Sequence, residues 1–182
     1  GIAIGLVTMP FVVGLKRLRR LFDRVRVPMA VKATLGGAIL GLVAWWLPPT
    51  RSWGELQLQG GVIDASLGAR ALLLLGVAKM LTVAVTLASG WRGGIIIPCF
   101  FIGACLGQAA ALVVPGVDPT LAMLVGMAAV NVAVMKVPLA TVLVVTAMSG
   151  VAAMPAIAAA SFASFVVSGG VNFLEAKRER GR

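Results

Sequence analysis

Long apolar runs separated by short polar breaks fill almost the whole chain. No charged side chain interrupts residues 1 to 15, 33 to 50, 93 to 117, 119 to 135 or 137 to 174. Several of these runs reach the roughly 20 residues that a helix needs to cross a hydrocarbon core. The pattern predicts helices over Gly1 to Val25, Pro28 to Leu47, Ala69 to Ala88, Ile95 to Val114, Thr120 to Val134, Leu139 to Met148 and Met154 to Val167. Pro48-Pro49 stops the second of them, since proline cannot continue the hydrogen-bond ladder. Arg51 to Asp64 is polar enough for a loop, with at most a short, shallow helix around Glu55 to Ile63.

Two of the later segments, Thr120 to Val134 and Leu139 to Met148, are short for a crossing. Apolar stretches of about 10 to 14 residues are more often re-entrant or partial than spanning. Proline or glycine closes them at Pro115-Gly116, Pro138, Gly150 and Pro155. Helices that start and stop at membrane depth require irregular backbone that is buried in protein or lines a water-filled path. That is the anatomy of a transporter or a channel, and a single receptor anchor would not need it. Small residues at Gly37 and Gly41, at Gly103 and Gly107, and along Ala156 to Ala160 allow helix backbones to approach closely.

Composition agrees with the pattern. With 60% hydrophobic residues and a mean hydropathy of +1.03, a chain of this size cannot hide its apolar surface in a water-soluble globule. The expected fold class is an all-α, polytopic protein of the cell membrane. Its net charge is +10, concentrated in Lys16, Arg17, Arg19, Arg20, Arg24 and Arg26 and again in Lys177, Arg178, Arg180 and Arg182. Both clusters flank apolar spans, so positive-inside topology explains them better than a nucleic-acid-binding face. Both are therefore expected in the cytoplasm, which divides the chain into a transmembrane region over residues 1–170 and a basic tail over 171–182. The apolar start at Gly1 has no basic n-region or small-residue cleavage site, so it reads as a span that begins inside a longer protein.

Little in the sequence supports covalent chemistry. There is no histidine, and no carboxylate lies between Arg70 and Asp118 to act as a general base. Cys99 and Cys105 lack metal-ligand spacing and read as packing residues. Neither an enzymatic activity nor a cofactor is expected. Lys79, a cation inside an apolar run, is either a functional group or a side chain that snorkels or pairs within the bundle.

The remaining candidate is Ser89-Gly90-Trp91-Arg92-Gly93-Gly94-Ile95-Ile96-Ile97-Pro98, which sets three glycines and a proline between two apolar runs. Glycines permit backbone geometry closed to other residues, and the helix beginning near Ile95 has its first N–H groups unpaired. Those donors sit at the positive end of the helix dipole and suit a small anion. A plain interhelical turn is the competing reading.

This segment, followed by Gly103-Ala104-Cys105-Leu106-Gly107, resembles the conserved region of the CLC family of chloride channels and chloride/proton antiporters, where G-x-F-x-P is usual. A second block, Gly126-Met127-Ala128-Ala129 and then Val137-Pro138-Leu139-Ala140-Thr141, is similar to the family's GMGA…APLT stretch. The order and spacing of both blocks fit, and residues 1 to about 167 resemble the second of the family's two inverted repeats. The resemblance implies a chloride held by backbone amides at Gly94, Ile95, Ile96 and Ile97. It also implies an upstream half carrying the other anion-contacting serine motif and the glutamates, membrane lipid around the bundle, and a homodimer joined through Leu139 to Met148 and Met154 to Val167. Ile96 stands where phenylalanine is usual, and the chain has no tyrosine to supply the hydroxyl that family members place on the ion. The alternative is another polytopic transporter with a broken-helix site for a carboxylate or other small anion.

Overall fold

A computed structural model describes residues 2–24, 28–50, 67–91 and 93–169. Among these the chain forms seven α-helices and no strand: α1 Ile2–Arg24, α2 Met29–Trp46, α3 Gly68–Ala88, α4 Ile96–Val113, α5 Pro119–Met135, α6 Pro138–Ser149 and α7 Met154–Val167. Short 3-10 turns cover Pro48–Thr50 and Val151–Ala153. Every end lies within one residue of its expectation from the sequence, because the proline and glycine punctuation sits where the ladders stop. The shallow helix expected around Glu55 to Ile63 and the basic tail lie outside the described residues.

The helix ends have local causes. Asp118 caps α5, its Oδ1 accepting from the Leu121 N–H at 2.7 Å, and Pro119 takes the first helical position, where the missing N–H costs nothing. That helix stops at Lys136, a non-glycine residue in the left-handed region with φ 60. Lys136 Nζ donates to the carbonyl and hydroxyl oxygens of Ser168, tying the break before α6 to the end of α7.

Lengths divide the helices into two kinds. The spans α2, α3 and α4 are long and apolar enough to cross a bilayer, whereas α5, α6 and α7 are shorter apolar helices. At 12 residues, α6 rises only about 18 Å, so it cannot cross a core of roughly 30 Å. Trp45 and Trp46 close α2 in highly exposed positions, which suits the headgroup level where such rings collect. The chain is thus an all-α, multi-pass membrane protein.

Its centre is the seam between α4 and α5, the largest helix pair. Twelve consecutive α4 residues, Pro98 to Ala109, are buried. A methyl group added at Gly103 would stand 2.3 Å from the Gly126 carbonyl oxygen, and one at Gly107 would stand 2.1 Å from that of Ala122. Small residues therefore set the distance between these backbones, as expected where packing rather than water drives association. The same reading fails for Gly37 and Gly41, since a Cβ at either meets nothing within 4 Å. The close approach on α2 belongs instead to Gly36, packed on Ser89. Cys99 and Cys105 are free and fully buried in α4, as packing residues should be.

Candidate functional site

The motif between α3 and α4 has two halves with different physics. Its first half ends α3. The Trp91 N–H donates to the Thr86 carbonyl at 3.2 Å and the Gly90 N–H to that of Leu87 at 3.3 Å. With Gly90 at φ 87, this is the paired 6→1 and 5→2 closure of a Schellman motif. A left-handed φ costs an ordinary residue about 1–2 kcal/mol, which explains glycine at 90. Two further ties hold the turn against α2: the Trp91 indole N–H donates to the Ala33 carbonyl at 3.2 Å, and Ser89 fits against Gly36.

The second half opens α4. Ile95 is its N-cap, with no side-chain hydrogen bond to the helix and no acidic residue in the first turn. The ladder starts with the Cys99 N–H on the Ile95 carbonyl at 3.0 Å, so the N–H groups of Ile96 and Ile97 precede it. Pro98 has no N–H. Asp118 supplies α5 with a side-chain cap that α4 lacks, as do α2, α3, α6 and α7.

That N-terminus faces a cavity of about 400 Å³ lined by Leu40, Thr50, Lys79, Thr82, Val83, Thr86, Leu87, Trp91, Gly93, Gly94, Ile95 and Pro98. Of the four residues expected to hold an anion, Gly94 and Ile95 line the cavity, while Ile96 and Ile97 do not. Ile96 is 45% exposed. Arg92 lies outside the described residues.

Sequence reasoning singled out Lys79 but not the helix face that it shares. Lys79, Thr82, Val83 and Thr86 recur at the spacing of one helix face, and all four line the cavity. Lys79 does not snorkel: it is 2% exposed, its Nζ donates to the Thr50 carbonyl at 3.0 Å, and it stands 5.4 Å from the centre of the Phe101 ring. The hydroxyls of Thr82 and Thr86 donate back to the carbonyls of Lys79 and Thr82, at 2.9 and 2.7 Å. Their protons are committed, so toward the cavity they offer lone pairs only.

The two sequence blocks thus sit where the fold needs them. One forms the Schellman turn and the uncapped start of α4. The other places Gly126 in the α4–α5 seam and Pro138 at the start of α6. Known proteins resemble the chain. The family profile described as voltage-gated chloride channel matches residues 1–169. A protein of Ralstonia nicotianae named for its likeness to the chloride channel protein ClcB is 31% identical over 157 residues, covering 82% of this chain and 36% of that one. YfeO of Salmonella newport, named as an ion-transport protein, is 36% identical over 94 residues, 51% of this chain and 23% of its own length. The protein MJ0305 of Methanocaldococcus jannaschii is 29% identical over 93 residues, 50% of this chain and 23% of that one. The chain therefore spans well under half the length of these relatives. A profile match over nearly all of the described helices, with a relative 31% identical over 82% of the chain, places the chain in the voltage-gated chloride channel (CLC) family.

Proposed function

We propose that this chain forms half of a transmembrane anion pathway, with chloride as the transported ion and the backbone N–H groups of Gly94, Ile95, Ile96 and Ile97 as its contacts. The observation that carries the reading is the uncapped N-terminus of α4 beside a cavity lined by Gly94 and Ile95. Unpaired donors at the positive end of a helix dipole attract an anion without a full counter-charge. Ralstonia nicotianae's relative is named for a chloride channel protein, which favours chloride over a carboxylate substrate. The other half of the pathway is an upstream repeat, since alignment covers 36% or less of each relative described and such sites form between repeats. A second copy packs against α6 and α7, where Leu139, Leu143, Met148 and Val166 are exposed.

The test is halide binding to the complete protein, by calorimetry and by bromide anomalous scattering. Ile96 is the first residue of α4, with Ile95 before it in the αR region, so Ile96→Pro removes one N–H at some strain to Ile95, and the comparison is made on protein shown to be folded. Loss of a hydrogen bond to a charged group costs about 1.5–3 kcal/mol, or roughly ten- to a hundredfold in affinity. Ile96→Phe, which keeps the donor, should bind nearly as well as the parent. Unchanged bromide occupancy beside Ile95 and Ile96 in a folded Ile96→Pro protein would sink this assignment.

A further inference from the structure

We propose that α2 is a strap across the anion cavity and that Trp91 is the positioning residue that latches it, setting how readily an ion enters rather than how tightly the amides hold it. The proposal rests on the anion-pathway reading above. Three pairings, Met29 with Gly90, Gly36 with Ser89, and Thr50 with Lys79, show that α2 and the turn after it run beside α3 in the opposite direction. These ties fall at two ends. At one, the Trp91 indole N–H donates to the Ala33 carbonyl at 3.2 Å, and a Cβ added at Gly36 would stand 2.5 Å from the Ser89 Cβ. At the other, the Thr50 carbonyl accepts from Lys79 Nζ at 3.0 Å. Between them lies Leu40, which lines the cavity together with Thr82, Val83 and Thr86 of α3. Met29, Ala33, Gly36 and Leu40 recur at the spacing of one helix face, so one stripe of α2 carries both the latch and the cover.

Burial holds the strap only weakly. Gly36 is the one residue of α2 that is buried, while Leu35, Ile39 and Leu42 are exposed. An element with so few buried contacts belongs to the low-stability end of a fold, and the bonds that pin it set how often it lifts. Trp91 can serve as the latch because the turn fixes its backbone, its N–H donating to the Thr86 carbonyl at 3.2 Å. The chain then continues from Trp91 into Gly93, Gly94 and Ile95, which line the cavity as Trp91 does. From Ala33 to Leu40 the strap covers two turns, about 10 Å, so release at Ala33 frees the stretch that carries Leu40.

Two readouts on the complete protein test the strap. Thr86→Cys places a thiol in the cavity wall, and its rate of modification by a small water-soluble thiol reagent reports access without any halide. Adding Trp91→Phe, which keeps a ring and removes the N–H, should raise that rate about three- to tenfold, the equivalent of one ordinary hydrogen bond. Trp91→Phe alone should raise chloride flux into liposomes by a similar factor and leave chloride affinity within about threefold of the parent. Cys99 and Cys105, fully buried in α4, should stay unmodified, which distinguishes a lifted strap from a loosened fold. Gly36→Cys combined with Ser89→Cys tests the opposite change and decides the matter if Trp91→Phe does not fold. A disulfide spans about 3.5–4.5 Å between Cβ atoms, so α2 need give only about 1 Å to form it; oxidation should slow chloride flux and a reductant should restore it. Equal modification of Thr86→Cys with and without Trp91→Phe, modification of Cys99 or Cys105 alongside it, or flux indifferent to oxidation of the cysteine pair would overturn the strap. Failure of the parent itself to bind halide would instead overturn the anion-pathway reading, and the thiol labelling would be untouched by it.

Discussion

The seam between α4 and α5 makes the sharpest stability prediction, because its geometry converts into a distance. A Cβ at Gly103 would stand 2.3 Å from the Gly126 carbonyl oxygen and 2.6 Å from the Met127 Cα. Carbon and carbonyl oxygen in contact normally sit about 3.3 Å apart or more, so Gly103→Ala must push the helices apart by about 1 Å. The obstacle is backbone on both sides, and no rotamer change relieves it. Overpacking of a filled core costs about 1–3 kcal/mol, against which the better helix propensity of alanine returns about 1 kcal/mol at most. With backbone on both sides the upper part of that range, about 2–3 kcal/mol, applies, so the net expectation is a destabilisation of about 1–2 kcal/mol, measured as reduced thermal stability of the protein in detergent. Gly126→Ala meets the mirror-image clash, at 2.1 Å from the Gly103 carbonyl. Once the first substitution has parted the helices, the second should add less than its own cost, a coupling that a double-mutant cycle reads directly. Gly37→Ala is the control, since nothing lies within 4 Å of its added methyl. It should be neutral or stabilising. If Gly103→Ala matched the parent, or if Gly37→Ala were as harmful, close backbone contact could not be what holds α4 in place.

Two further substitutions test local parts of the same account. Asp118→Ala removes the cap of α5, and unfolding measurements should show a loss of about 0.5–2 kcal/mol, while Asp118→Asn should remain close to the parent; equal losses would mean that the carboxylate acts otherwise than as a cap. Thr141→Val deprives Asn131 Nδ2 of its 2.8 Å acceptor in a residue 3% exposed, which should cost about 1–3 kcal/mol. Adding Asn131→Leu should then recover part of that loss, because removing both partners leaves no donor stranded; a strictly additive double variant would contradict the pairing.

How much of this was legible in the sequence depends on what kind of signal each feature leaves. Helix ends were legible because proline and glycine act within one or two residues, so Pro48, Gly90, Pro138 and Gly150 mark the boundaries without help from the rest of the fold. Gly103 and Gly107 were legible for a different reason. Their spacing matches a close helix crossing, yet Gly37 and Gly41 share that spacing and touch nothing. Spacing states that a close approach is possible, and only the position of α5 decides where it happens. The break before α4 was legible because it lies in the backbone and needs a particular local sequence. The cavity beside it was legible only at Lys79, because Thr50 arrives from a separate turn and Leu40 from another helix. A helical plot of α3 would still have put Lys79, Thr82, Val83 and Thr86 on one face, and that stripe is the signal that was available.

The contrast between the starts of α4 and α5 joins stability to function. Both helices have proline in the first turn and both are buried in their middle, at Cys99 to Ala109 and at Gly126 to Val134. Asp118 satisfies a donor at the start of α5, in an exposed position where water could have served as well. At α4 the corresponding position is Ile95, which has no acceptor to offer, and α2, α3, α6 and α7 likewise begin without a side-chain cap. Under the proposed function an anion in the cavity would complete the helix that the sequence leaves open, and a residue such as Ser or Asp at 95 would compete with it for the same N–H groups. On that proposal the ligand carries the cost of the open terminus, while the α4–α5 seam holds α4 in register.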